Sequence, residues 1–200
     1  MANFITIFRV FLMFIWVYLL MAYMDNSTAY IWALVLTILA FALDGLDGYV
    51  ARKFHEESKL GALLDIMSDR IVENTYWIVF AAMNWLPVWF SLVALTRGFI
   101  TDTIRSAAME KGLTPFGMQR NPICKWITGS KFMRITYAVA KVLAFIVIIA
   151  SQIPCLEAYS GPTYRFGYWL AIIAIVFCVV RGLPVIIEAR DVLGDNKADG

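Results

Sequence analysis

The chain has 200 residues, of which 61% are hydrophobic and 15% aromatic, and its mean hydropathy is +0.72. Soluble globular proteins are about 45–50% apolar, so this composition excludes an ordinary soluble domain and predicts a membrane protein. The formal net charge of +2 is too small to suggest nucleic acid as a partner. We therefore predict one all-α membrane domain over residues 1–200.

Six apolar segments are long enough to cross a bilayer, for which a helix needs about 20 apolar residues. Their approximate limits are 5–24, 29–52, 60–83, 88–110, 131–152 and 166–189. The first segment is too long for a signal peptide and contains Arg9, so we interpret it as a retained helix. The sequence thus predicts six transmembrane helices.

The loops between these segments differ in charge. The link Lys53–Lys59, the loop Lys111–Ser130 and the tail after Arg190 hold most of the loop charge. The other loops, which carry Arg165 as their one basic residue, are 25–28, 84–87 and 153–165. Because basic loops face the cytoplasm, both termini are expected there.

Two stripes of acidic and small residues lie in the second and third segments, at spacings that place each set on one helix face. The first stripe consists of Asp44, Asp47, Gly48, Ala51 and Arg52, and the second of Gly61, Asp65 and Asp69. The short link between the segments allows the stripes to face each other. Both then lie in the cytoplasmic halves of helices two and three, near the link that joins them.

A carboxylate at bilayer depth costs about 2.5–3.5 kcal/mol, so four aspartates here require compensation. Hard divalent cations such as Mg²⁺ or Mn²⁺ would supply it, and two such ions can share facing aspartates. The stripes contain no His or Cys, which argues against zinc and copper. Gly48 and Gly61 leave gaps beside the carboxylates, and Arg52 offers a planar donor for phosphate. This combination favours a diphosphate substrate held through its cations.

The sequences DGLDGYVAR and GALLDIMSD together fit the pattern DxxDGxxARx8GxxxDxxxD. In this the chain resembles the CDP-alcohol phosphotransferase family. The resemblance implies a six-helix membrane enzyme, in a bacterial-type cell membrane and as a homodimer. Such an enzyme transfers a phosphoalcohol from a CDP-linked donor to an acceptor hydroxyl and releases CMP.

The resemblance also implies roles for individual residues. Asp44, Asp47 and Asp65 would bind the metals, and Asp69 would bind metal and act as the general base. The CDP site would be lined by Gly48, Ala51, Arg52 and Gly61.

The acceptor must be inferred from charges outside this motif. Arg97 and Arg105 share one face of the fourth segment, and Lys131 opens the fifth, which together suit a phosphorylated acceptor. Arg97 and Arg105 also resemble the RxxxxxxxR pattern of the phosphatidylglycerophosphate synthase branch, as does the opening Asn3, Thr6, Arg9. That branch uses CDP-diacylglycerol and glycerol 3-phosphate. The chain departs from its DPVADK sequence, and Arg70 stands where that branch has lysine.

Several alternatives remain open at the level of sequence. Inositol phosphate would also need a basic pocket, and the arginines of the fourth segment could instead extend toward the interface. A divalent-cation transporter would likewise place carboxylates within helices. Lys141 and Arg181 lie within predicted spans, and the sequence identifies no partner for either.

Overall fold

The computed structural model describes residues 2–23, 26–53, 59–110 and 122–194. Side chains in these ranges are described except those of residues 2–3, 47–53, 59–60, 62, 110, 122–123, 131, 156–157 and 190–194. The helices are α1 Ala2–Ala22, α2 Ser27–Lys53, α3 Lys59–Ala82, α4 Val88–Glu110, α5 Pro122–Gly129, α6 Lys131–Ser151 and α7 Glu157–Gly194, with a 3₁₀ turn at Pro154–Leu156. The predicted all-α class is confirmed.

Each of the six predicted segments coincides with a long helix. Four helices contain stretches long and apolar enough to cross a membrane, namely Phe4–Ala22, Ser27–Leu46, Phe132–Ser151 and Ala158–Ala189. The other two long helices, α3 and α4, carry more charged side chains. Several of these charged side chains form ion pairs inside the bundle.

Two predicted loops are partly helical. The predicted loop Lys111–Ser130 contains α5, which at eight residues is too short to show a clear periodicity. Residues 153–165 were also predicted to be a loop, but α7 begins at Glu157. Pro162 lies within the first two turns of α7, where its missing N–H removes few helix hydrogen bonds.

The six long helices form a closed ring through their contacts. Going around it, α1 packs on α2, α2 on α6, α6 on α7, α7 on α4, α4 on α3, and α3 returns to α1. The short helix α5 lies against α6 and α7. This order places α1 beside both helices that carry the acidic stripes.

Aromatic side chains fill the centre of the ring. Phe145 of α6 stacks on Tyr76 of α3, with ring centroids 4.8 Å apart, and meets Trp77 edge-on at the same distance. Trp16 of α1 covers the other side of Tyr76, at 4.4 Å. Large apolar side chains such as Phe132 and Trp169 instead point outward and are more than half exposed. An apolar exterior of this kind suits a lipid environment.

Arg70 of α3 and Asp102 of α4 form a two-bonded ion pair inside the bundle. Arg70 Nε lies 2.7 Å from Asp102 Oδ2, and Nη2 lies 2.8 Å from Oδ1. The planar guanidinium makes these two parallel bonds, which a lysine ammonium cannot. The pair therefore explains why arginine stands at this position.

We expect Arg70→Lys to weaken the α3–α4 contact, because one of the two hydrogen bonds is lost. The melting temperature of the detergent-solubilised protein should fall by about 2–4 °C, corresponding to about 1 kcal/mol. Arg165→Lys, at an exposed position of α7, should leave the melting temperature unchanged. Equal melting temperatures for Arg70→Lys and the parent protein would show that the second bond contributes nothing.

Candidate active site

Three aspartates from two helices meet at one end of the ring. Asp44 lies on α2, and Asp65 and Asp69 lie one turn apart on α3. One oxygen of each carboxylate lies within 4.8 Å of one oxygen of the others. Their side chains are 40%, 49% and 50% exposed, so the cluster is open to a ligand. The predicted meeting of the two acidic stripes is thus observed for these three residues, which we call the acidic cluster.

Arg9 of α1 reaches into the acidic cluster. Its Nη1 lies 2.6 Å from Asp44 Oδ1 and 3.9 Å from Asp65 Oδ1, and its Nη2 donates to Asp69 Oδ1 at 3.1 Å. The Arg9 side chain is only 1% exposed. Sequence reasoning did not place Arg9 in the site, although a lone cation within an apolar helix is itself a signal that an acidic partner exists.

The acidic cluster fits a hard divalent cation. Its described donors are carboxylate oxygens alone, which suit Mg²⁺ or Mn²⁺ better than zinc or copper. The oxygens converge from separate helices, so the helix packing sets their spacing. The one cation that contacts them, among the described residues, is Arg9.

A cavity of about 410 Å³ adjoins the acidic cluster. Asp44, Gly45 and Asp69 line one end, and Glu73 and Lys141 line another part of its wall. No described atom would lie within 4 Å of a Cβ added at Gly45, so the backbone there is approachable. Apart from Arg9 of α1, the rest of the wall is apolar and comes from α2, α3 and α6.

Several predicted site residues cannot be placed beside this cavity. The side chains of Asp47, Gly48, Ala51, Arg52 and Lys131 lie outside the described ones, although their backbones belong to α2 and α6. Gly61 is described in the first turn of α3 and is partly buried. The roles predicted for these residues therefore remain predictions.

A basic cluster occupies a second part of the ring. It contains Arg97 and Arg105 of α4, which the sequence singled out, together with Arg134 of α6 and Arg181 of α7. Arg105 and Arg181 each lie near Arg97 and Arg134, and Asp102, which is paired with Arg70, also lies near Arg105. In the described part of the chain, the buried Nε atoms of Arg97, Arg105 and Arg181 have no hydrogen-bond partner. This concentration of donors is suited to an anion.

Gly182 provides the space into which Arg97 packs. A Cβ added at Gly182 would lie 2.8 Å from Arg97 Cγ and 3.0 Å from Arg97 Nε. The absence of a side chain at this point of α7 therefore fixes where the Arg97 guanidinium lies.

The family described as CDP-alcohol phosphatidyltransferase matches residues 1–180. The chain belongs to this family. The resemblance predicted from the aspartate motif is thereby confirmed, and the acidic cluster contains three of the four aspartates of that motif.

Individual relatives carry related names. A Mycobacterium tuberculosis protein named "Putative cardiolipin synthase" is 34% identical over 112 residues, which are 56% of this chain and 52% of that protein. The CDP-diacylglycerol--glycerol-3-phosphate 3-phosphatidyltransferase of Bacillus subtilis is 24% identical over 148 residues, or 74% and 68% of the two chains. A "Probable phosphatidylglycerophosphate synthase" of Mycobacterium tuberculosis is 25% identical over 198 residues, or 97% and 84%. The match to the first of these proteins thus spans about half of its length.

We expect Arg9→Met to destabilise the metal-free protein, because the three carboxylates would then lose the one cation that contacts them among the described residues. The melting temperature in EDTA should fall by roughly 2–8 °C, equivalent to about 1–2 kcal/mol for partly exposed groups. Added Mn²⁺ should raise the melting temperature of Arg9→Met more than that of the parent protein, since the metal has no guanidinium to displace.

Arg165→Met serves as the control, because this arginine is exposed and lies away from the acidic cluster. A Mn²⁺-induced shift of equal size in Arg9→Met and the parent protein would contradict this account of the ion pairs.

Proposed function

We propose that the protein is a CDP-diacylglycerol-dependent phosphatidyltransferase of phospholipid synthesis. It transfers the phosphatidyl group to glycerol 3-phosphate and releases CMP. The observation that carries the proposal is the meeting of Asp44, Asp65 and Asp69 in a chain of this family. The names of the Bacillus subtilis and Mycobacterium tuberculosis relatives support this choice of donor and acceptor.

The four motif aspartates, Asp44, Asp47, Asp65 and Asp69, would hold two Mg²⁺ or Mn²⁺ ions. Those ions would neutralise the diphosphate of the donor and stabilise CMP as it leaves. Gly48, Ala51, Arg52 and Gly61 would line the space for CDP. These assignments extend to side chains beyond the described ones, and they follow the family motif residue by residue.

Asp69 is the residue proposed to accept the proton of the attacking hydroxyl. Its carboxylate is half exposed and faces the cavity. An oxygen that is both accessible and adjacent to the diphosphate site meets the geometric requirement for a general base. The oxygen of the acceptor then attacks the phosphorus of the phosphatidyl group in line with the departing CMP.

The basic cluster is the proposed site for the phosphate of the acceptor. Arg97 and Arg105, joined by Arg181 and Arg134, provide several guanidinium groups toward one region of the ring. Lys131, at the start of α6, would add a further cation. The phosphate of a phosphorylated alcohol would neutralise part of this positive charge, whereas an uncharged alcohol would not. Glycerol 3-phosphate is therefore favoured over uncharged acceptors.

We further propose that all six long helices cross the membrane, with the acidic cluster on the cytoplasmic side. The ring places α3 and α4 between apolar helices, and their charges pair inside the bundle, as Arg70 does with Asp102. The positive-inside pattern of the loops sets the orientation. A homodimer in a bacterial-type cell membrane completes the proposal.

The decisive experiment is the release of CMP from CDP-diacylglycerol by the purified protein with Mg²⁺ or Mn²⁺. Glycerol 3-phosphate should be the best acceptor in a panel that includes inositol phosphate, glycerol and phosphatidylglycerol, the last because one relative is named a cardiolipin synthase. Asp69→Asn should lower turnover by at least about 100-fold while the donor still binds. Uptake of Mn²⁺ into liposomes without CMP release would instead support a transporter.

The Arg97 assignment is tested through Gly182. Gly182→Ala should push the Arg97 side chain aside and raise the KM for glycerol 3-phosphate about tenfold, with little change in the KM for the donor. The matched control is Gly161→Ala in the same helix, where an added Cβ meets no described atom within 4 Å. An unchanged KM for the acceptor in Gly182→Ala would remove Arg97 from the acceptor site.

A further inference from the structure

A polar group of three residues lies at the otherwise apolar part of the cavity wall, where two of them, Glu73 and Lys141, line the cavity and the third, Tyr137, is buried behind them. Lys141 Nζ of α6 lies 2.9 Å from Glu73 Oε2 of α3, and the Tyr137 hydroxyl donates to Glu73 Oε1. The side chains of Lys141 and Glu73 are only 13% and 11% exposed. Neither residue takes part in the reaction proposed above, although both line the same cavity as Asp69.

The position of Glu73 relates this group to the acidic cluster. Glu73 follows Asp69 by four residues, so it lies on the same face of α3 about 6 Å further along the helix. Because we propose that α3 begins at the cytoplasmic side with Lys59, Glu73 and its partner Lys141 lie further from that side than Asp69 does, and so deeper in the bilayer. The cavity therefore runs from a diphosphate site into the membrane.

The walls of the cavity at this depth are those of a lipid site. Phe41, Val72 and Val142 line it, as do Val139 and Leu143 of α6, which are 50% and 44% exposed. The cavity thus has an apolar, partly exposed wall. An acyl chain leaving the cavity there would pass into the surrounding lipid.

The charge of the polar group determines what it can bind. Both oxygens of Glu73 accept a hydrogen bond, whereas the Lys141 ammonium has three N–H donors and gives one to Glu73. The Lys141–Glu73 pair is neutral as a unit, unlike the basic cluster. It is therefore suited to an uncharged oxygen acceptor, because a second anion would be repelled by Glu73.

We propose that Lys141 binds an ester carbonyl oxygen of the diacylglycerol portion of the donor. The inference rests on the function proposed above. It assigns a binding residue to the diacylglycerol portion of the donor, which the aspartate motif does not contact. In a diacylglycerol phosphate the ester carbonyls lie a few bonds from the phosphate, on the side of the acyl chains. The ester carbonyls would therefore lie beside Lys141 when the diphosphate lies beside Asp69, since both residues line the same cavity. Glu73 and Tyr137 are positioning residues that hold the ammonium in place.

The test compares CDP-diacylglycerol with the matching CDP-dialkylglycerol, in which ether oxygens replace the esters and no carbonyl is present. The wild-type protein should have a KM about tenfold lower for the diester, the size expected for a hydrogen bond to a charged donor. Lys141→Met should bring the two KM values together. Lys125→Met, at an exposed position of α5, is the matched control and should keep the wild-type ratio.

A second variant controls for misfolding caused by the loss of Lys141. Lys141→Met alone leaves Glu73 charged in the interior, so the double variant Glu73→Gln with Lys141→Met removes both charges together. It too should lose the preference for the diester, whereas Tyr137→Phe should keep most of it.

The possible results separate the inference from the function on which it rests. A wild-type protein that releases CMP but shows no preference for the diester overturns the role of Lys141, as does a folded double variant that keeps the wild-type ratio. A wild-type protein that releases no CMP from either donor with any acceptor in the panel overturns the proposed transferase itself.

Discussion

The attraction between Arg9 and the three carboxylates of the acidic cluster joins α1, α2 and α3 at one end of the ring. Without a cation, Asp44, Asp65 and Asp69 would repel one another across a gap of a few ångströms. Arg9 compensates their negative charge from a position that is 1% exposed. Its own buried positive charge is in turn stabilised by the three carboxylates. The same carboxylates that carry the proposed chemistry thus also hold three helices together.

Charge compensation between helices recurs through the interior. Arg70 and Asp102 connect α3 to α4, and Lys141 and Glu73 connect α6 to α3. Each pair removes the cost of a lone charge within an apolar bundle. In the basic cluster several arginines lie near one another, and the nearby Asp102 is already paired with Arg70, so positive charge is in excess among the groups described there. That imbalance is what distinguishes a place for an anionic ligand from a purely structural contact.

Local spacing was sufficient to predict the six long helices and most of the acidic cluster. Residues three or four apart share a helix face, so Asp65 and Asp69 could be grouped from the sequence, and the short link between α2 and α3 allowed Asp44 to be placed opposite them. Arg9 could not, because its partners are 35 or more residues away and depend on how α1 packs. The same holds for Arg181, whose neighbours come from α4 and α6.

The errors in the predicted helices also have local causes. Gly161 and Pro162 are typical of a loop, but near the start of α7 they are compatible with a helix. Helix α5 is too short for hydrophobic periodicity to identify it. Packing against α6 and α7 stabilises it instead, and packing cannot be read from local sequence.

The exposed apolar wall of the cavity at Val139 and Leu143 affects how the concentration of the proposed donor should be understood. A lipid that enters from the side never leaves the bilayer, so its encounters with the protein occur in two dimensions. Occupancy then depends on the fraction of membrane lipids that are donor molecules, and not on the amount per volume of cytoplasm. Diluting the membrane with inert lipid would lower the occupancy of the donor site, even in a cell whose total content of donor is unchanged.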